Sequence, residues 1–230
     1  MNKDWSEKNK KMQTLIGKEA TFREGIDVLI ELRDELFQQI TSIVNTYPSE
    51  AFCQMPFAKA EGYHSKTLAY SMWHIFRIED IVAHTIIMRD SQILFTDGFS
   101  ERTGSPIITT GNELKGEAIA EFSKKLDIKA LYEYCSAVKD STEEMLKNLE
   151  YRELKRNFSD EDKKRVADTH SVSTDEDAVW LIDFWCNKNI GGLIKMPFSR
   201  HWIMHIEAMC RIKNKLCQIA GKGVEILEGK

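Results

Sequence analysis

Apolar residues recur at helical spacing through four long stretches of the chain. In "FREGIDVLIELRDELFQQITSIVNTY", Phe22 to Tyr47, the residues Ile26, Leu29, Ile30, Leu36, Phe37, Ile40, Ile43 and Val44 gather on one side. That is the 3.6-residue period of an amphipathic helix, and Tyr47-Pro48 ends it because the residue before a proline resists helical angles. "SKTLAYSMWHIFRIEDIVAHTIIMRD" predicts a second helix over Lys66–Asp90 with Ser65 as its N-cap. It has almost no wholly polar side, so it is expected between neighbours. A third helix, Ile128–Glu150, is predicted from Leu131, Tyr134, Cys135, Val138, Met145 and Leu149. The fourth, Phe198–Ala220, carries the stripe Phe198, His201, His205, Ala208, Ile212 and Leu216, with Gly221 as its expected stop.

The four prolines, Pro48, Pro56, Pro106 and Pro197, all fall in the connections, where they break no helical hydrogen bond. The pattern therefore predicts an all-α protein whose four helices pack as one antiparallel or crossed bundle. Two inserts interrupt it, at 91–127 and 151–196. The first holds the turn-rich "DGFSERTGSPIITTGNEL" and then "GEAIAEFSKKLD", a short helix. The second begins with the charged "YRELKRNFSDEDKKRV", in which "SDEDKKRV" reads as a solvated stretch. It goes on to "DEDAVWLIDFWCNKN", a short helix before Gly191-Gly192. Apolar residues run through both inserts, so they are expected to cover the bundle within a single domain spanning 1–230, with its core over about 22–220. Trp73, Trp180, Trp185 and Trp202 are assigned to the core.

Composition narrows the function. At 230 residues and 42% hydrophobic, the chain can bury one sizeable core. A net charge of −4 offers nothing like a polyanion-binding surface, so no nucleic-acid partner is expected. No apolar run has the length of a membrane span, and the charged "MNKDWSEKNKKMQTLIGKEA" lacks the apolar region of a secretory signal. The five cysteines, Cys53, Cys135, Cys186, Cys210 and Cys217, form no C-x-x-C pair. They read as reduced thiols of a cytoplasmic protein.

The chemistry concentrates in the fourth helix, where His201 and His205 both lie within the apolar stripe. Residues four apart on a helix are separated by about 6 Å along the axis and about 40° around it. Two imidazoles so placed can converge on one metal ion. His74, in "SMWHIFRIED", is the best third ligand because it sits mid-helix among Trp73, Ile75, Phe76 and Ile78. His64 and His84 are each ten residues from His74, on other faces, and His170 lies in a charged region. Trp202 follows His201, so the glutamate base of a zinc protease is missing. Cys210 stands three residues after Glu207, so the Glu-x-x-His of a di-iron bundle is missing too. Tyr70, Ser71 and Arg77 lie near His74 on the helical wheel and are candidate contacts to the ligands or to a substrate.

"AYSMWHIFRIED" and "PFSRHWIMHIEAM" resemble the corresponding segments of the DinB-like (YfiT-like) metal-dependent proteins. That family is a four-helix bundle holding its metal by one histidine of the second helix and an H-x-x-x-H pair of the last. By resemblance His74, His201 and His205 are the ligands of one divalent transition metal. Three neutral imidazoles suit zinc or nickel, and also iron or copper, and three protein ligands leave positions open, as in catalytic sites. The resemblance further implies a metal-dependent transferase using a low-molecular-weight thiol against a small electrophile, and a homodimer. The competing expectation is a non-catalytic module in which the metal staples the bundle and the domain binds a ligand or a protein.

Overall fold

A computed structural model describes residues 2–60 and 62–228, with side chains described as far as Ile219. The helices are α1 (Lys3–Leu15), α2 (Phe22–Thr46), α3 (Leu68–Asp80), α4 (Phe99–Arg102), α5 (Glu117–Lys124), α6 (Ile128–Asn148), α7 (Asp160–Asp168), α8 (Glu176–Cys186), α9 (Ile190–Lys195) and α10 (His201–Glu228). Among the described residues there is no strand, only an isolated bridge between Asn157 and Asn189. The protein is all-helical, as the pattern predicts.

The four expected helices are α2, α3 with its continuation, α6 and α10, and each packs on two of the others: α2 on α6 and α10, α3 on α6 and α10. Their facing stripes form one apolar cluster around Leu36, Phe76, Tyr134, Trp202 and Ile206. A second cluster joins Ile26, Leu29, Ile81 and Val82 to Val166, Leu181, Trp185 and Leu193 of the second insert. That insert lies over one end of the helices through its own apolar side chains.

The boundaries differ from the pattern in four places, each for a local reason. The N-cap before α3 is Thr67, not Ser65: the Thr67 hydroxyl accepts from the Tyr70 N–H at 3.0 Å, whereas Ser65 bonds back to the Gly62 carbonyl. Beyond Asp80 the helix widens to π geometry over Ile81–Met88 and ends where Arg89 turns left-handed, φ 61°. A second π turn, Met196–Arg200, leads into His201, whose N–H reaches back five residues to the Met196 carbonyl. Such turns are frequent at functional sites. Gly221 does not end α10, which runs to Glu228. A glycine stops a helix only when it turns left-handed.

Four helices have no counterpart in the hydrophobic pattern: the short α4 and α9, which lie in the turn-rich stretch and at Gly191-Gly192, and α1 and α7. α1 is mostly polar, yet Trp5, Met12 and the following Ile16 bury against α2. Their approach is close enough that a Cβ on Gly25 would stand 2.6 Å from Ile16 Cγ2 and 2.7 Å from its backbone N. α1 thereby fills part of the α2 surface. The "SDEDKKRV" stretch is not merely solvated: it forms α7, opened by Ser159 and Asp162 in a reciprocal capping box. Asp162 is buried there between Arg89 and Arg165.

Candidate metal centre

His74 sits in the middle of α3, and His201 and His205 occupy the first turns of α10, which packs on α3. All three are buried. One ring nitrogen from each lies within 4.8 Å of the other two. The sequence spacing alone placed the α10 pair on one face. Packing supplies the third ring.

The hydrogen bonds define what each imidazole has left to offer. His74 donates through Nδ1 to the Thr110 carbonyl at 2.9 Å. A carbonyl only accepts, so Nδ1 carries the proton and the neutral ring presents a bare Nε2. That Nε2 faces Nε2 of His201 at 3.2 Å. Nδ1 of His201 and both nitrogens of His205 are buried with no hydrogen-bond partner among the described residues. Unpartnered polar atoms in an apolar interior are costly. The donor set fits a transition metal: two nitrogens each about 2.0–2.1 Å from one ion would stand roughly 3.3 Å apart.

Electrostatics keep the rings in the ligand form. Burial pushes the His74 pKa down to about 4, assisted by the charge of Lys66 and opposed by the Thr110 bond. Burial, and then the neighbouring histidines, hold His201 and His205 well below the usual imidazole value. All three are therefore neutral near pH 7, as a metal ligand must be.

Aromatic rings fix the cluster from two sides. Tyr70 stacks parallel to His74, with ring centres 5.5 Å apart, and its hydroxyl donates to the Gly111 carbonyl at 3.0 Å. Gly111, at φ 77°, leaves room for this: a Cβ there would approach the Tyr70 ring to 3.1 Å. Tyr63 meets His205 edge-on at 4.7 Å. The Thr110–Gly111 turn of the first insert thus holds both His74 and its stacking partner. Above the imidazoles opens a cavity of about 360 Å³, walled by Tyr63, Lys66, Tyr70, Trp180, Phe184 and Trp185 among others.

Of the three contacts expected beside His74, only Tyr70 is at the site. Ser71 bonds the Thr67 carbonyl at 2.9 Å. Arg77 is buried on Asp80 (2.8 Å), Gln92 (2.8 Å) and the Ile108 carbonyl (2.7 Å). A helical wheel gives direction around the axis but not which neighbour fills that direction, and Arg77 faces the first insert. Trp180, assigned to the core, is instead 47% exposed and lines the cavity. Tyr63 and Thr110 lie in connections without hydrophobic period, and Lys66, which the pattern puts at the start of the second helix, stands instead just before its Thr67 N-cap.

The other histidines stay apart. His64 meets Arg211 at 2.9 Å. His84 bonds Asp90 at 2.7 Å and faces the Ser141 hydroxyl at 3.2 Å. This is the contact order of a serine hydrolase, but Ser141 lies inside α6. Backbone N–H groups there are spent on the helix, leaving no oxyanion hole.

No protein-family model matches the chain, and the search of curated proteins finds no match. Among the described residues, no helix is long and apolar enough to cross a membrane. The fold and site together define an all-helical protein with a buried three-histidine group that could hold a metal ion.

Proposed function

We propose that the chain is a DinB-like four-helix bundle that binds one divalent transition metal through His74, His201 and His205 and acts as a thiol transferase. The observation that carries the reading is the convergence of three neutral imidazoles lining one cavity, with three of their buried ring nitrogens (Nδ1 of His201 and both of His205) lacking a partner among the described residues. A closed structural staple would have packed side chains where this cavity lies, so the open arrangement favours a reacting site over a non-catalytic module. Zinc and nickel head the compatible metals.

The chain's own residues set the stage. Thr110 fixes the His74 tautomer through a 2.9 Å bond, and the stacked Tyr70 holds the ring plane. Trp180, Phe184 and Trp185 wall the cavity and limit water around a bound substrate. When bound, a divalent transition metal would supply Lewis acidity that lowers the pKa of a thiol or water ligand. Among the described residues, no cysteine or carboxylate joins the histidine group. The thiol must then come from a cosubstrate, and peptide hydrolysis lacks its base.

The test is to assay zinc- or nickel-loaded protein at pH 7 with a panel of small thiols and a chromogenic electrophile, against the His201→Ala variant. A free thiol of pKa about 8.5 is only a few per cent thiolate at that pH. Activation should therefore give at least a roughly tenfold higher rate with one thiol. Rates equal to the variant's across all thiols would overturn the transferase and leave the metal-stapled binding module.

A further inference from the structure

The cavity over the histidines has an uneven chemistry. Among the described residues, Lys66 is the one charged side chain in the lining, and no carboxylate is part of it. The Lys66 ammonium lies over the Tyr70 ring, 4.9 Å from its centre, and that ring stacks in turn on His74. Its charge reaches both His74 and His205. Lys66 has no hydrogen-bonded or ion-paired acid among the described residues. The charge of Glu113 reaches Tyr70, but Glu113 lies outside the cavity lining and one of its oxygens accepts from Thr109.

A half-buried ammonium held on an aromatic face keeps donors free for a ligand. The three imidazoles beside it contribute no negative charge. Apart from Ser65 and Asn112, the rest of the wall is largely aromatic and apolar: Trp180 and Phe184 stand edge-to-face at 5.5 Å, Tyr63 is part of the lining, and Trp185 is buried. The volume of about 360 Å³ falls at the lower end of small-molecule sites, which run roughly 300–1,000 Å³. A cation at one edge and aromatic faces around it select an acid group on a flat, apolar body.

We propose that this cavity binds a small organic anion, with its acid group at Lys66 and its planar apolar part against Trp180, Phe184 and Tyr63. The proposal deepens the metal-centre reading and rests on it for the role of the ligand as a cosubstrate. The recognition itself belongs to Lys66 and the aromatic wall. In the thiol-transfer scheme, one cosubstrate is therefore an acid.

Benzoate and benzamide serve as probes, since they share shape and differ in charge. Their affinities are measured by calorimetry at pH 7.5 on chelator-stripped protein, so that no metal can attract the carboxylate. Charge-assisted contacts are the stronger ones. Wild type is thus expected to bind benzoate at least about tenfold tighter than benzamide. Lys66→Met should bring the ratio close to one, and Lys66→Arg should keep most of it. Trp180→Ala should weaken both probes about equally.

Equal affinities in wild type, or a ratio unchanged in Lys66→Met, would overturn the proposal. Zinc uptake by the same preparations reads the other hypothesis. One zinc bound with no benzoate preference removes the anion site alone, whereas preference without zinc uptake removes the metal centre alone.

Discussion

His205→Ala is expected to weaken zinc binding by more than about a hundredfold, read by competition with a chromogenic chelator. Losing a group that merely orients a ligand already costs about 10–100-fold, and His205 offers a ligand nitrogen itself. Both of its ring nitrogens are buried without a partner among the described residues, and its ring centre lies 4.7 Å from that of His74 and 4.5 Å from that of His201. Removing it leaves two nitrogens and solvent. The His74/His201/His205 triple alanine variant should bind no zinc above background. Zinc content equal to wild type in that variant would refute the assignment.

The same substitutions separate metal from fold through pH. In stripped protein, burial holds all three imidazoles below their ordinary value, His74 at about 4. The unfolded chain takes up protons from about pH 6.5 downward while the folded chain refuses them. Stability is therefore full above that pH. It falls as pH drops from about 6.5 toward 4, by up to about 1.4 kcal/mol per pH unit per histidine. The triple variant should lose that slope in urea titrations between pH 7 and 5.

How much of this was legible in the sequence depends on whether a feature is local. The stripe of α2, the predicted start of α6 and the spacing of His201 and His205 are properties of one segment, and periodicity exposes them. His74 could be singled out because its neighbours on α3 are apolar. The rest depends on what other segments bring. α1 buries only Trp5, Asn9 and Met12 along its length, too thin a stripe to stand out against its charges. The two π turns keep helical composition and change only the hydrogen-bond step. Lys66 and Tyr63 reach the cavity from a connection, and Trp180 from a helix whose other side is packed. Glu79, Asp80, Glu143 and Asp162 are all buried. A charge at helical spacing reads as solvated until a partner from another helix covers it.

Glu79 shows the consequence most strongly, and Glu79→Leu is expected to destabilise the protein by about 3–5 kcal/mol. Arg33 of α2 and Glu79 of α3 are fully buried and paired through two parallel bonds of 2.9 and 2.7 Å. The Arg33 Nε donates to Glu143 of α6 at 3.2 Å, and Glu143 in turn accepts from Lys139. The α10 side is tied in as well: the Trp202 indole donates to Glu79 at 2.7 Å, Arg33 donates to the Phe198 carbonyl at 3.2 Å, and its guanidinium stacks on the Trp202 ring. One carboxylate thus joins the helices flanking His201.

Leucine is close to glutamate in volume, so the substitution opens little cavity. The cost comes from a buried guanidinium left with half its countercharge and an indole N–H left without an acceptor. The paired change Arg33→Met with Glu79→Leu removes both charges, so it should cost less than Glu79→Leu alone. Urea denaturation of the two singles and the double measures this as a coupling energy. Glu79→Leu costing under about 1 kcal/mol would show that the network contributes little. A double variant worse than either single would show that packing, rather than charge pairing, governs this junction.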